Sequence, residues 1–267
     1  MGLVRALAED YISMLPSPAS ITWTCNHSRN TQLALLHDHI DIALTYERDQ
    51  EELAAAEGWS VTAGCIFHDH FVLAGPVADP AGVKHAQTLE EGMRRIAKSR
   101  CSFHSRADAS ATMWKERGLW SVAGLKPWED EMATSWYLTS LHNPADALKE
   151  ADRAGAYLLT DRSTLLRQTG LQSIKGTTVF FEPREENDVL MNSCYALHAK
   201  RLSTEKASTV ERFLTYATSE RGQDIIGNFG RSQVGVPLFA TLDEGYAKAS
   251  LKGGRPRDGK WRVDSKL

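Results

Sequence analysis

The spacing of apolar and polar positions predicts short strands separated by helices along most of the chain. Runs rich in β-branched and aromatic residues predict the strands, at 20–24, 40–45, 67–74, 102–105, 156–160, 177–181 and 193–199. Apolar positions at helical spacing predict the helices, at 3–15, 31–36, 51–56, 89–98, from 109 onward, 144–154, 163–167, 205–218 and 222–229. This order predicts an α/β fold with doubly wound, mainly parallel sheets.

Composition indicates the general class of protein but not its function. A hydrophobic fraction of 42% in 267 residues is enough to fill the core of a soluble globular protein. The 31 basic and 34 acidic residues give a net charge of -3, so we expect no broad positive field that attracts nucleic acid or an anionic membrane. Any anion site must therefore be local.

The sequence pattern gives no signal for membrane insertion or export. No run of about 18 apolar residues predicts a membrane span. The opening residues, MGLVRALAEDYISML, lack a basic region followed by an apolar stretch and a small-residue cleavage site. We therefore expect the chain as written to stay in the cytoplasm.

Motifs that mark catalytic or nucleotide-binding sites do not occur. There is no GxSxG elbow, P-loop or GxGxxG motif, and the four cysteines form no CxxC pair. Two HxH patterns occur, at 37–39 and 68–70. Strand spacing puts His68 and His70 on one face, so a metal-dependent hydrolase that also uses Asp69 stays an alternative. We expect a protein without catalysis, bound metal or cofactor.

A set of segments, collinear from about residue 2 to residue 239, carries the most specific pattern of the sequence. The segments are IDIALTYERDQEELAAAEG (40–58), HDHFVLAGPVADPAGV (68–83), SRADASAT (105–112), GAYLLTDRST (155–164), ERFLTYATSERGQDIIGNFG (211–230) and GVPLF (235–239). No single segment is specific, but their order and spacing together are. The set resembles the tungstate-binding proteins of bacterial ABC transporters, which belong to the type II periplasmic binding proteins.

The resemblance implies two doubly wound α/β lobes joined by crossing strands, at 67–74 and 193–199, which close on a ligand by a hinge motion. The predicted ranges are residues 1–75 and 194–250 for the first lobe, 76–193 for the second and 251–267 for a basic, disordered tail. The implied function is a non-catalytic, monomeric solute-binding protein for tungstate or molybdate. Its implied partners are that oxyanion and an ABC transporter permease, outside the cytoplasm.

The segment SRADASAT supplies groups that a tetrahedral dianion needs. Such an anion exchanges its water for amides and hydroxyls, which helix N-termini provide. Ser105 and Ser110 are candidate caps or hydroxyl donors, and Thr112 adds a hydroxyl beside first-turn amides. Arg106 would add a charge-assisted contact. The alternative is that Arg106 pairs with a nearby aspartate and that Ser110 only caps the helix.

Two further segments match ligand loops of the family. Ser28, in the loop after the first predicted strand, lies where the family has a small donor-rich turn, and its neighbour Arg29 is either an extra cation or a solvated arginine. Thr160 and Arg162 flank Asp161 at a strand end, the usual place for cleft residues in open α/β sheets. The alternative is an Asp161–Arg162 network that holds the loop.

The sequence departs from the family pattern in ways that bear on binding. Family members begin with a strand and a TTTS-like loop, whereas this sequence begins at the helix that follows. Ala107 and Ala111 stand where the family has glycines. Ser163 and Leu165 likewise replace a glycine and a tyrosine. We expect binding to be weakened or lost unless the start codon is misassigned, and the alternative to transport is a degenerate relative that senses or binds another small anion.

Aromatic residues concentrate in the predicted second lobe. They are Trp114, Trp120, Trp128, Trp136 and Tyr137. We expect them to pack in the core, and stacking on an organic ligand is the alternative.

Overall fold

The computed structural model describes residues 2–185 and 187–244, in which helices alternate with strands; the predicted tail lies outside these residues. The helices are α1 (Leu3–Ser13), α2 (Ser28–Leu36), α3 (Arg48–Ala56), α4 (Leu89–Ser99), α5 (Ala111–Val122), α6 (Pro144–Ala154), α7 (Arg162–Gly170), α8 (Thr204–Thr218), α9 (Glu220–Asn228) and α10 (Arg231–Val234). The strands are β1 (Ile42–Thr45), β2 (Ser60–Pro76), β3 (Phe103–Arg106), β4 (Tyr137–Ser140), β5 (Tyr157–Asp161), β6 (Thr177–Phe181) and β7 (Met191–Ala199).

One sheet contains β1, β7 and the first part of β2. β7 lies between the other two strands and runs antiparallel to both. Its pairing with β2 extends from Ser60 opposite Ala199 to His70 opposite Met191. This sheet, with α1–α3 and α8–α10, is named the first lobe.

The other sheet contains the last part of β2 together with β3, β4, β5 and β6. From Phe71 onward β2 pairs antiparallel with β5 and β6, and Phe71 lies opposite Asp161. β3 lies between β5 and β4 and runs parallel to both. This sheet, with α4–α7, is named the second lobe. β2 therefore passes from one lobe into the other between His70 and Phe71.

Each lobe has its own hydrophobic core. In the first lobe, α1 buries Leu3, Leu7 and Tyr11 in a cluster with residues of α8 and α9, because these side chains recur on one helical face. The second-lobe core is built around contacting aromatic rings, those of Phe103, Trp120, Trp136 and Tyr137. The expected packing of the aromatic residues in the core is confirmed for Trp120, Trp136 and Tyr137.

The lobes also pack on each other through α7 and α10. Gly170 of α7 lies so near to Val234 of α10 that an added Cβ would come within 2.5 Å of the Val234 side chain. Because packed interiors leave no room for such an atom, a larger residue at position 170 would push these helices apart.

Two expectations about the strands are wrong. The sheets are not mainly parallel, because β2 and β7 run in opposite directions and the parallel pairs among the described strands are those of β3 with β4 and with β5. Residues 20–24 form no strand, because this mostly exposed segment has no neighbouring strand to accept and donate its ladder hydrogen bonds. Within the described residues, no helix has the length and apolar character needed to cross a membrane.

Candidate functional site

The loop that follows β3 is held by its own side chains. Asp108 accepts hydrogen bonds from the guanidinium of Arg106 and from the N–H of Ser110 (3.1 Å). Ser110 caps α5, because its Oγ accepts a first-turn N–H at 3.3 Å. The N–H groups of Ala111 and Thr112 have no partner within the helix and form its positive end. This turn therefore favours an anion.

Arg106 brings the positive charge of this loop. Its side chain is 11% exposed and pairs with Asp108, which is the structural pairing given above as an alternative. Its buried Nε atom nevertheless has no hydrogen-bond partner among the residues that the structure describes. A guanidinium held on one side with a donor left over is suited to a charge-assisted contact with an oxyanion.

Ser105 belongs to a buried network on the other face of β3, since successive side chains of a strand point to opposite faces. The Tyr137 hydroxyl donates to Oε1 of Glu116 (2.7 Å) and lies 2.9 Å from Oγ of Ser105. Burial raises the pKa of Glu116 to about 7, against the opposing effect of the Tyr137 hydrogen bond. The network ties β3 and β4 to α5 and supports the Arg106 loop from behind.

The first turn of α2 has no side-chain cap. His27 precedes the helix but makes no capping hydrogen bond, so the first-turn N–H groups of α2 are not satisfied by the helix. Ser28 is buried, and its Oγ accepts from the N–H of Tyr46 (3.2 Å). Arg29 donates from Nε to Oε2 of Glu47 (2.8 Å). The turn thus combines free amides with a basic side chain.

The N-terminus of α7 is capped by Asp161. Its Oδ1 accepts from the N–H of Thr164 and from the hydroxyl of Ser163, both at 2.7 Å. Thr160, at the end of β5, is 4% exposed. Thr160 and the α7 turn therefore lie where β2 passes between the lobes, because β5 pairs with β2 from Phe71 onward.

Arg162 holds the chain segment that follows α10. It is fully buried and donates from its guanidinium to the carbonyls of Leu238 (2.8 Å) and Pro237 (3.2 Å). Burial lowers the pKa of Arg162 to about 10, and the negative charge of Asp69 opposes that shift. These contacts resemble the predicted alternative in which the arginine stabilises a loop. Here its partner is the segment that follows α10.

Asp69 is a buried carboxyl that the sequence pattern suggested only as the acidic partner of the histidines in a metal-dependent hydrolase. Burial and the nearby Asp161 raise its pKa to about 7, and Arg162 lowers it. Its Oδ1 accepts from the N–H of His70 (2.8 Å). Alternation in the HDH segment gave no signal for this burial, because both faces of β2 are covered where it crosses between lobes.

Contacts bring these helix N-termini into one region between the lobes. The guanidinium carbon of Arg29 lies 3.8 Å from the ring centroid of Trp114, so the first turns of α2 and α5 meet across the cleft. Burial, and to a smaller extent the nearby carboxylate of Asp161, the cap of α7, raises the pKa of Tyr46, whose N–H binds Ser28. Ser28, Ser110 and Thr112 thus lie at the two helix ends that meet here, Arg106 and Thr160 lie at the ends of the paired strands β3 and β5, and Ser105 and Arg162 belong to supporting networks.

A protein-family model described as a PBP superfamily domain matches residues 2–221. The chain belongs to the PBP superfamily. The match confirms the resemblance noted in the sequence. Of the two predicted crossing strands, β2 passes between the lobes, whereas β7 pairs with β1 and with the first part of β2. Together with the curated relatives described next, the family match supports a non-catalytic binding domain.

Curated relatives of this PBP domain are anion-binding proteins. A tungstate-binding protein, TupA of Peptoclostridium acidaminophilum, is 27% identical over 201 residues, which cover 74% of this chain and 67% of that protein. A putative ABC transporter anion-binding protein of Haloferax volcanii is 27% identical over 192 residues, covering 71% of this chain. The chain spans 54% of the length of that second relative.

Solved structures share the fold of this PBP domain. A periplasmic putative metal binding protein is similar over 90% of this chain and 91% of its own, with a TM-score of 0.80 and 27% identity. The tungstate-binding protein TupA of Desulfovibrio alaskensis G20 is similar over 90% of this chain and 93% of its own, with a TM-score of 0.72 and 23% identity. The second likeness supports the fold alone.

The histidine patterns lie apart from the cleft residues of this PBP domain or are buried. His37 and His39 are exposed after α2, and His70 is buried, which keeps its pKa well below the ordinary range. His68 lies 2.7 Å from the hydroxyl of Ser193 on β7. In the part of the chain that the structure describes, no three His, Cys, Asp or Glu side chains form a metal-binding group.

Trp114 differs from the other tryptophans of the second lobe in its environment. It is half-buried and lies close to two guanidinium groups, with Arg29 at 3.8 Å and Arg117 at 5.6 Å from its ring centroid. Arg117 also lies 5.0 Å from the ring centroid of Trp128. The sequence placed Trp114 with the core aromatics because composition alone does not separate a core ring from a cleft ring.

Proposed function

We propose that this chain binds a small tetrahedral oxyanion of the tungstate or molybdate type in the cleft between its lobes, as the solute-binding component of an ABC transporter. The observation that carries the proposal is the meeting of the first turns of α2 and α5, from different lobes, at the Arg29–Trp114 contact. The positive N-terminal ends of α2 and α5, together with Arg29 and Arg106, then border one region.

The chemistry of the cleft suits a dianion that has lost its water. A buried oxyanion needs a donor for each oxygen, and free first-turn amides supply them without a desolvated counter-charge. The open first turn of α2 and the amides of Ala111 and Thr112 are such donors. Arg106 adds a charge-assisted donor through its unpaired Nε.

The proposal divides the predicted site residues into two groups. Arg106, Ser110, Thr112 and Ser28 contact the ligand directly or through the turns they form, and Thr160 lines the cleft floor. Ser105 and Arg162 act behind the site, because their polar groups already bind protein atoms. The relatives named for tungstate or anion binding support the class of ligand.

Thermal unfolding in the presence of different anions tests the proposal. A ligand that binds only the folded state raises the melting temperature, by roughly 5 °C or more at about 100 times its Kd. Tungstate and molybdate should give this rise, with sulfate and phosphate much less effective at equal concentration. No rise with any of the four anions contradicts the proposal. A rise with phosphate alone assigns a different small anion.

A permease partner follows from the same proposal. In this role the chain works outside the cytoplasm and delivers its anion to a membrane permease. Cells that carry the chain should take up molybdate or tungstate. Loss of this uptake when the chain is deleted, and its return when the chain is restored, would support that step. Unchanged uptake after deletion would limit the function to anion binding.

A further inference from the structure

Arg29 and Trp114 form a contact between the lobes, named here the interlobe stack. Arg29 lies in the first turn of α2, which packs on β1, and Trp114 lies in the first turn of α5, which packs on β3 and β5. The guanidinium lies over the indole at 3.8 Å from its centroid. Each residue therefore belongs to a different lobe and lies beside its own lobe's anion-binding turn.

Both members of the interlobe stack are held in place from behind. Glu47 binds Nε of Arg29 at 2.8 Å, so the guanidinium keeps its orientation toward the second lobe. In the second lobe, the guanidinium of Arg117 lies 5.6 Å from the ring centroid of Trp114 and 5.0 Å from that of Trp128, and so supports the indole within α5. A contact whose two halves are both anchored costs little conformational entropy when it forms.

We propose that Arg29 and Trp114 are positioning residues that hold the two lobes together and thereby set how slowly the cleft releases its anion. The inference rests on the proposed function, in which the ligand lies between α2 and α5. Release requires the lobes to separate, so a contact that exists only when they are close stabilises the bound state. The stack also keeps the Arg29 charge beside the cleft without requiring that it touch the ligand.

Release kinetics in a double-mutant cycle test the interlobe stack. Arg29→Met and Trp114→Leu should each speed the release of molybdate, measured by stopped-flow competition with tungstate, by about fivefold. Because both changes remove one contact, Arg29→Met/Trp114→Leu should release molybdate no faster than either single variant. Effects that multiply in the double variant overturn the proposal and assign Arg29 to direct ligand contact.

Arg48 provides a matched control within one lobe. Its guanidinium lies 4.3 Å from the ring centroid of Tyr195, it pairs with Glu52 at 2.9 Å, and its side chain is 43% exposed against 37% for Arg29. Arg48→Met should therefore lower thermal stability to a similar extent and leave the release rate unchanged. Equal acceleration by Arg48→Met would overturn the proposal, because the effect would then reflect stability alone.

Hydrogen exchange separates this inference from the proposed function. Without added anion, the hydrogen-bonded amides that close these two turns, those of Thr31 in α2 and Met113 in α5, should exchange about fivefold faster in Arg29→Met and Trp114→Leu than in the unchanged protein. If neither molybdate nor tungstate binds the unchanged protein, the proposed function fails while this measurement still tests the stack. If exchange is unchanged in both turns, the proposal for the interlobe stack is wrong, whether or not the unchanged protein binds an anion.

Discussion

The first turns of α2 and α5 border the same cleft, but they are constructed differently. The α5 turn is fixed by side chains of its own loop, with Ser110 as cap and Asp108 bound to Arg106. The α2 turn has no cap, and its basic residue is fixed by Glu47 and by a ring of the opposite lobe. The α5 turn keeps its shape without the other lobe and can therefore select a ligand. The α2 turn depends on a contact with the other lobe, so its conformation depends on whether the lobes are closed.

Substitution of Arg106 should give the largest effect and test whether the α5 turn selects the ligand. Arg106→Ala removes a charge-assisted donor, so we expect binding of molybdate or tungstate to weaken by about 100-fold. Isothermal titration measures the loss, and the melting temperature without anion shows whether the fold survives. Unchanged affinity in a folded variant would remove Arg106 from the site.

Asp108→Asn is the matched control for Arg106. It removes the charge that neutralises Arg106 while leaving the guanidinium in place. Affinity for a dianion should then stay the same or rise, because less negative charge faces the ligand. A loss as large as that of Arg106→Ala would mean that the loop's conformation, and not its charge, determines binding.

Buried carboxyls behind the two turns should give an effect of about the same size, on stability and not on binding. Burial raises the pKa of Glu116, behind α5, from its ordinary 4.5 to about 7, so the fold favours the protonated acid. Its contribution to stability is complete below pH 4.5 and is lost as the pH rises through 7, a change of about 3 kcal/mol. Denaturant unfolding between pH 4.5 and 8 should show this slope, reduced in Glu116→Gln.

Glu51 is the first-lobe carboxyl to compare with Glu116. It is buried beside α2, and burial raises its pKa, but Thr45 and Arg48 bind its carboxyl and oppose the shift. Glu51→Gln should therefore change the pH slope less than Glu116→Gln. A larger change for Glu51→Gln would show that the first lobe, and not the second, determines the pH dependence of stability.

Local signals predicted much of the fold. The bounds of α6 match the prediction because Asn143 caps it, Pro144 starts it and Gly155 ends it in a left-handed conformation. The strand at 177–181 was also predicted with the bounds it has. The passage of β2 between two sheets was not visible in its own residues, since strand partners lie far away in the sequence.

At the candidate site too, the sequence predicted what neighbouring residues determine and not the contacts between distant residues. Ser110 is a cap, and that signal is contained in a few neighbouring residues, so that α5 begins at Ala111, two residues after the predicted Ala109. The contacts of Ser105 with Tyr137 and of Arg162 with the segment after α10 join residues 32 and 75 or more positions apart. No local pattern could assign those two side chains to supporting networks.

Removal of the α5 cap should have a moderate effect that separates binding from stability. Ser110→Ala should cost about 1 kcal/mol of folding free energy, as expected for a lost cap. Ser203 caps α8 with the same 3.3 Å bond and lies away from the cleft. Ser203→Ala should cost as much stability, but only Ser110→Ala should weaken anion affinity. Equal affinities for both variants would make Ser110 a cap and nothing more.

Ser28 should give the smallest effect, because the α2 turn acts through its amides and through the interlobe stack more than through one hydroxyl. Its Oγ accepts from Tyr46, so its proton is free for an anion, and Ser28→Ala should weaken binding by about fivefold, the net worth of one hydrogen bond. Ser60 is also 6% exposed and lies in the first lobe, but its Oγ binds no described residue. Ser60→Ala should leave affinity unchanged. If titration shows the same affinity for Ser28→Ala as for Ser60→Ala, the first-lobe half of the site consists of backbone amides, and the contrast with the α5 turn becomes sharper.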